Sequence, residues 1–259
     1  MHVDSYTPGT PSWVDLGIPD IAAATEFYSG LFGWQIEDMG PDAGGYAMAS
    51  LDGEPVAGLG PQQSPGPPYW TVYVTVEDAA AVAKLVQDNG GQVAMPPMQV
   101  MDAGTMAVFQ DSVGAFISVW EPADHKGAGL VGEEGTFVWA ELTTDQLDDA
   151  SRFYGSVFGW ESETSSAGGM EYTEFKLGET PVAGMMPRPP MLPDEVPSYW
   201  GVYFASDDCD ATAEKVKELG GSVIVPPMDI PPGRFAVVAD PAGASFSIMT
   251  TKGDLRAAP

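Results

Sequence analysis

The sequence predicts an α+β fold built from four βαβββ units, two in each half of the chain. Three observations predict it: an internal duplication, a strand–helix–three-strand punctuation inside each half, and strands whose two faces differ in chemistry. The duplication is read directly. "EFYSGLFGW" (26–34) returns as "RFYGSVFGW" (152–160), and "EPVAGLGP" (54–61) returns as "TPVAGMMP" (180–187). "PYWTVYV" (68–74) returns as "SYWGVYF" (198–204), and "NGGQVAMPPM" (89–98) as "LGGSVIVPPM" (219–228). "DSVGAFISV" (111–119) returns as "DPAGASFSI" (240–248). The offset grows from 126 to 130 residues across the Pro-rich stretch, so 187–198 carries a four-residue insertion. Residues 8–122 and 136–250 form the two repeats. Residues 123–135 are rich in Gly and charge, lack periodicity and read as the linker.

Each element has a local reason. In the first unit 11–18 alternates as a strand. Asp20 is placed to cap a helix over 21–32, where Ala22, Ala23, Phe27, Tyr28 and Leu31 fall near helical spacing. Gly33 ends that helix. Strands follow near 34–38, 45–51 and 55–60. In the second unit 70–76 is a strand, Glu77-Asp78 starts a helix over 79–88, and Gly90-Gly91 stops it. Strands follow near 92–98, 105–110 and 115–120. The second half repeats the pattern.

The bulk numbers narrow the function. The chain has 259 residues, 44% of them hydrophobic, which suits about two globular domains at ~150 residues each. A net charge of −27 argues against nucleic acid and anionic membranes as partners. No apolar run approaches the roughly 18 residues of a membrane span. The start, "MHVDSYTPGTPSW", has no basic and apolar leader pattern, so a cytoplasmic protein is expected. The single cysteine, Cys209, fits a reducing compartment and a buried, inert role. Walker, dinucleotide-binding and hydrolase motifs are absent.

The strand faces locate a candidate site. On 13–18, Val14, Leu16 and Ile18 oppose Trp13, Asp15 and Gly17. On 70–76, Trp70, Val72, Val74 and Val76 oppose Thr71, Tyr73 and Thr75. The second half sets Trp200, Val202 and Phe204 against Gly201, Tyr203 and Ala205. On 115–120, Ile117 and Val119 oppose Phe116, Ser118 and Trp120; on 245–249, Phe246 and Ile248 oppose Ser245, Ser247 and Met249. The aliphatic face packs under helices. The other face mixes aromatics, hydroxyls and one carboxylate per half, Asp15 and Glu141, each two residues after a tryptophan, Trp13 and Trp139. That is the composition of a concave ligand surface.

These residues and motifs resemble the vicinal oxygen chelate superfamily, the group of glyoxalases, bleomycin-resistance proteins and extradiol dioxygenases. The tandem form, with "FYxxxFGW", "PVAG", a recurring "YW" strand, "PPM" and "GRFAVVADPAGA", looks similar to actinobacterial two-domain proteins labelled hydroxylase or CFP30B-like. The resemblance covers about 8–250. It implies two domains, each an incomplete, U-shaped β-barrel, and a monomer or weak homodimer. Metal-dependent members of the family carry His, Gln or Glu ligands on three strands. The matching positions here are Trp13, Thr71 and Ser118 in one half and Trp139, Gly201 and Ser247 in the other, and none is a good ligand. The two histidines, His2 and His125, fall at the terminus and in the linker. No metal and no cofactor is therefore expected.

The leading expectation is a small-molecule binder. Its ligand is a planar, apolar or aromatic metabolite of antibiotic or polyketide type. It lies among Trp13, Asp15, Thr71, Tyr73, Phe116, Ser118 and Trp120 in the first half, and among Trp139, Glu141, Tyr203 and Ser247 in the second. Arg234, whose counterpart is Thr105, is a further candidate anchor. The alternative is a metal-free lyase, isomerase or hydroxylase-like enzyme using Asp15 or Glu141 as general acid or base, with Tyr73 and Tyr203 as partners. A structural carboxylate–tyrosine bond is the bland reading of the same residues. A metal-dependent glyoxalase or dioxygenase with displaced ligands is the weaker alternative.

Overall fold

A computed structural model describes residues 1–252 except 64, 168, 169, 191 and 194. The insertion at 187–198 thus includes two positions outside the described residues.

The first half runs β1 (Pro11–Ile18), α1 (Ile21–Phe32), β2 (Gln35–Asp38), β3 (Ala47–Leu51) and β4 (Glu54–Pro61). It continues with β5 (Tyr69–Thr75), α2 (Ala79–Asp88), β6 (Gln92–Val100), β7 (Gly104–Gln110) and β8 (Phe116–Pro122). The second half repeats the series: β9 (Phe137–Thr143), α3 (Leu147–Phe158), β10 (Glu161–Ala167), β11 (Met170–Leu177) and β12 (Thr180–Met186). It ends with β13 (Tyr199–Ala205), α4 (Cys209–Glu218), β14 (Ser222–Ile230), β15 (Gly233–Ala239) and β16 (Ser245–Thr251). The four βαβββ units are present as the sequence predicts.

The punctuation works as expected. Asp20 accepts a hydrogen bond from the Ala23 amide at 3.0 Å and caps α1. Gly33, at φ 75°, closes that helix in the left-handed conformation, donating to the Ser29 carbonyl. Asp78 and Asp208 cap α2 and α4 in the same way.

Each half forms one eight-stranded open sheet, ordered β2-β3-β4-β1-β5-β8-β7-β6 in the first and β10-β11-β12-β9-β13-β16-β15-β14 in the second. Neither closes into a barrel. The first strands of the two units in a half pair antiparallel at the centre, placing Trp13 opposite Tyr73 and Asp15 opposite Thr71. In the second half Trp139 lies opposite Tyr203 and Glu141 opposite Gly201. The carboxylates therefore sit at the middle of each sheet.

The two faces separate as alternation requires. Val14, Leu16, Ile18, Trp70, Val72, Val74 and Val76 join the main core beneath the helices. Trp13, Tyr73 and Trp120 form a separate cluster on the opposite face, with Met48, Val100 and Met106 packed against it. Six of the eight strands contribute to that cluster, the signature of a curled sheet. Trp139, Tyr203 and Met249 form its counterpart in the second half, with Ile230 and Phe235.

The main core is continuous across both halves. Two buried bonds cross the junction: the Tyr28 hydroxyl donates to Asp240 at 3.1 Å, and the Tyr154 hydroxyl to Asp111 at 2.6 Å. The tryptophans of the repeated "FGW" motif do the same with backbone. Trp34 donates to the Gly135 carbonyl at 2.8 Å and Trp160 to the Gly9 carbonyl at 2.7 Å. Aromatic rings reinforce the seam, with Trp70 and Phe204 centroids 5.0 Å apart. Cys209 is buried at the start of α4, its Sγ facing the Ile248 carbonyl, and burial pushes its thiol up to about 11.

The connection 123–135 is more ordered than its composition suggests. Gly127 through Val131 are buried. The N-terminal segment pairs with it: Val3 donates to the Gly129 carbonyl at 3.0 Å, and the Tyr6 hydroxyl to the Ala128 carbonyl at 2.7 Å. Gly and charge in the composition concealed this: backbone hydrogen bonds hold the segment, and Ala128, Leu130 and Val131 are buried in the hydrophobic clusters.

Candidate functional site

A carboxylate in an apolar setting is costly to keep charged. Each half keeps one on its inner face and surrounds it with hydroxyls. The Tyr73 hydroxyl donates to Asp15 at 2.9 Å, and the Tyr203 hydroxyl to Glu141 at 2.7 Å. A second tyrosine reaches each acid from the neighbouring strands: Tyr46, just before β3, and Tyr172 on β11. Each of these also takes the indole N–H of the preceding tryptophan, Trp13 to Tyr46 at 3.1 Å and Trp139 to Tyr172 at 3.0 Å. The tryptophan, two tyrosines and carboxylate thus form one connected network, present twice.

The sequence reasoning missed Tyr46 and Tyr172. Their signal was present in the repeat: they stand 126 residues apart, and the glycines of the two "PVAG" segments make room for them. A Cβ on Gly58 would overlap the Tyr46 hydroxyl, and one on Gly184 would overlap the Tyr172 hydroxyl and crowd Trp139. The tyrosine rings lie across bare backbone on β4 and β12, so only glycine fits there.

Burial is the main influence on the acids. It pushes Asp15 up to about 6, while hydrogen bonds from Tyr73, Thr71 and Tyr46 pull it back. Glu141, 9% exposed, is raised by the same cause, with only Tyr203 and Tyr172 opposing. The halves differ at one donor, because Gly201 replaces Thr71. Burial beside the carboxylates also holds Tyr73, Tyr46, Tyr203 and Tyr172 well above the usual phenol range, so they remain donors.

Most of the residues expected at the site lie together. Trp13, Asp15, Thr71, Tyr73, Ser118 and Trp120 share the inner face of the first sheet, with Ser118 directly beside Tyr73 on the parallel neighbour strand. Ser118 Oγ is fully buried and makes no well-formed hydrogen bond, although its O–H lies on the acceptor side of the Tyr73 hydroxyl. Trp139, Glu141, Tyr203 and Ser247 share the corresponding face of the second sheet. Two residues lie apart. Phe116 begins β8 and is 56% exposed at the rim, outside the Trp13–Tyr73–Trp120 cluster. Arg234 neighbours the inward Phe235, so alternation turns it toward α4, where it forms ion pairs with Asp210 and Asp229. These ion pairs hold it on the helix side of the sheet.

His125 is a second residue that the linear order concealed. It follows β8 in the linker, yet its ring stands edge-on to Trp13 at 4.4 Å and near Trp120 at 5.7 Å. Burial lowers its pKa to about 4.

The positions that the family resemblance matches to metal ligands carry side chains that do not suit a divalent ion. Trp13, Thr71 and Ser118, and Trp139, Gly201 and Ser247, offer indole, hydroxyl and bare backbone. Among the described residues, no three His, Cys, Asp or Glu side chains converge. Two open clefts lie elsewhere, at the seam between halves. One is lined by Leu31, Phe32, Leu130 and Lys215, the other by Asn89, Ser112, Asp149 and Arg152. Neither touches the buried acids. No helix among the described residues is long and apolar enough to cross a membrane.

Comparison with known proteins matches this architecture. The family model of the Glyoxalase/Bleomycin resistance protein/Dioxygenase superfamily matches residues 10–119 and again 136–248. The chain is 47% identical over 253 residues to the Mycobacterium bovis protein named "Putative glyoxylase CFP32", covering 94% of this chain and 95% of that one. It is 41% identical over 260 residues to the "Anthracycline biosynthesis protein DnrV" of Streptomyces peucetius, covering 94% of each. Among solved structures, the Mn(II)-bound glyoxalase from Novosphingobium aromaticivorans superposes with a TM-score of 0.65 at 18% identity, covering 94% of this chain and 82% of that one. The 2,2',3-trihydroxybiphenyl 1,2-dioxygenase of Sphingomonas wittichii gives the same TM-score at 14% identity, covering 94% and 91%. At these identities the structural likeness concerns the fold alone. With both halves matched and a relative sharing nearly half its residues, the chain belongs to the Glyoxalase/Bleomycin resistance protein/Dioxygenase superfamily.

Proposed function

We propose that this protein binds a small planar, aromatic metabolite on the inner faces of its sheets, without the metal that related enzymes use. The observation that carries the reading is the twice-built network in which an inward-facing carboxylate, half-buried Asp15 or buried Glu141, is held by two tyrosines beside a tryptophan. Such a surface suits a flat ring carrying oxygen substituents: the aromatics supply stacking, worth about 0.5–1.5 kcal/mol per pair beyond burial, and the acid orients a hydroxyl. The relatives named for anthracycline biosynthesis support that ligand class. Hydroxyanthraquinones, the chromophore of anthracyclines, combine both features.

A second reading is favoured by one observation. A carboxyl pushed up to about 6 sits near the pH at which general acid–base catalysis is efficient. Asp15, and Glu141 in the second half, would then exchange a proton with a ligand hydroxyl or an acidic C–H while Tyr73 or Tyr203 steadies the carboxylate.

Tryptophan fluorescence titration with 1,4-dihydroxyanthraquinone tests the binding. Saturable quenching is expected, with Trp13→Phe and Trp139→Phe each removing part of the signal. Absence of quenching at any soluble probe concentration overturns the reading.

A further inference from the structure

The linker contributes to the first-half site through one side chain. His125 is fixed at its backbone, its amide donating to the Ala103 carbonyl at 3.1 Å and its carbonyl accepting from the Trp120 indole at 2.8 Å. Its ring is fixed too, edge-on to Trp13. Trp13 and Trp120 belong to the inner-face cluster that includes Tyr73, the partner of Asp15, so the imidazole faces the same side of the sheet. Yet Nε2 is enclosed and has no hydrogen-bond partner.

A buried polar atom with no partner is destabilising, because it has lost water without gaining a hydrogen bond. A phenyl ring would make the same edge contact with Trp13 at no such cost. An imidazole held here by both its ring and its backbone, with one nitrogen unsatisfied, is arranged for a partner that arrives from outside.

We propose that His125 is a ligand-contacting residue of the first-half site, its Nε2 pairing with an uncharged hydroxyl or keto oxygen of an oxygenated planar aromatic that stacks near Trp13. This rests on the binding reading above and adds a polar contact to it. Burial keeps the ring in its neutral form, which offers a donor or an acceptor to such an oxygen without a counter-ion. The contact also makes the halves unequal: the position matching His125 is Asp254, outside the described residues, so the linker distinguishes the first site.

The test uses the full chain and 1,4-dihydroxyanthraquinone. The protein has two histidines, so His2→Gln assigns the imidazole resonances unambiguously. On saturation with the probe, the Nε2 resonance of His125 is expected to shift. His125→Phe is expected to melt at or above the wild-type temperature and bind the probe about tenfold more weakly, whereas His125→Gln, which keeps a polar terminus, retains most of the affinity. Wild-type affinity in a folded His125→Phe protein, or an unmoved Nε2 resonance at saturation, overturns the proposal alone. If His125→Phe fails to fold, the resonance in the His2→Gln protein decides. A wild-type protein that does not bind the probe overturns the binding reading and this inference with it.

Discussion

Tyr46 lies across Gly58 so closely that a Cβ at that glycine would overlap its hydroxyl, and Tyr172 lies across Gly184 in the same way. The repeated "PVAG" segment is thus a platform that lets a tyrosine reach the central carboxylate. Gly58→Ala is expected to displace Tyr46 and break its bond to Trp13. Overpacking of this kind costs about 1–3 kcal/mol, and the environment of Trp13 changes with it. Thermal melting and near-ultraviolet circular dichroism check this. A Gly58→Ala protein with wild-type melting and spectrum would show that the ring is not held there.

The seam between halves rests on two buried tyrosine–aspartate bonds. Tyr154→Phe removes the bond to Asp111 and leaves the Trp200 indole, which donates to the same hydroxyl at 2.7 Å, without its acceptor. The expected loss is about 1–3 kcal/mol, read as a fall of roughly 2–4 °C per kcal/mol for a protein of this size. Tyr28→Phe acts alike at the opposite junction, where Trp70 donates to the Tyr28 hydroxyl at 3.3 Å.

The pH dependence of stability has a definite sign. Asp15 is raised from 3.8 to about 6, so between those values the folded protein binds more protons than the unfolded chain, and stability falls as pH rises. Glu141, Asp111 and Asp240 are raised by burial and act in the same direction. His125, lowered from 6.5 to about 4, opposes them: the unfolded chain binds the extra proton, and stability rises with pH across that window. Asp15→Asn is therefore expected to flatten the decline in melting temperature above about pH 4, and His125→Gln to steepen it. Melting curves across this range check both. Slopes that move together would contradict the assignment.

Arg234 provides a negative control. Its partners are Asp210 and Asp229 on the helix side, and an exposed pair of this kind contributes little. Arg234→Ala is expected to leave probe affinity unchanged in the fluorescence titration.

Much of this was legible in the chain. Duplication revealed the four units, Asp20 and Gly33 bounded the first helix, strict alternation placed Asp15 opposite Val14 and Leu16, and the repeat carried Glu141 to the matching position. The same alternation misplaced little, but it is blind to neighbours more than one strand away. Tyr46 reaches Asp15 from beyond β4, so no local period reveals it. His125 was concealed for another reason: a segment whose few buried apolar residues, Ala128, Leu130 and Val131, have no strand or helix period looks like a linker in composition. Phe116 shows the opposite error, since alternation gives its face but not that it stands at the exposed start of its strand. Arg234 was drawn to the site by its charge, while its ion partners lie on the helix side.

The central claim is that each carboxylate network meets a ligand. Isothermal titration of 1,4-dihydroxyanthraquinone into the wild-type, Asp15→Asn and Glu141→Gln proteins measures this directly. The expected result is that each variant keeps its fold and loses about tenfold affinity at its own half, with the other half unaffected. Folded variants that bind the probe as tightly as the wild type would contradict it and leave the acids as structural members of the sheet.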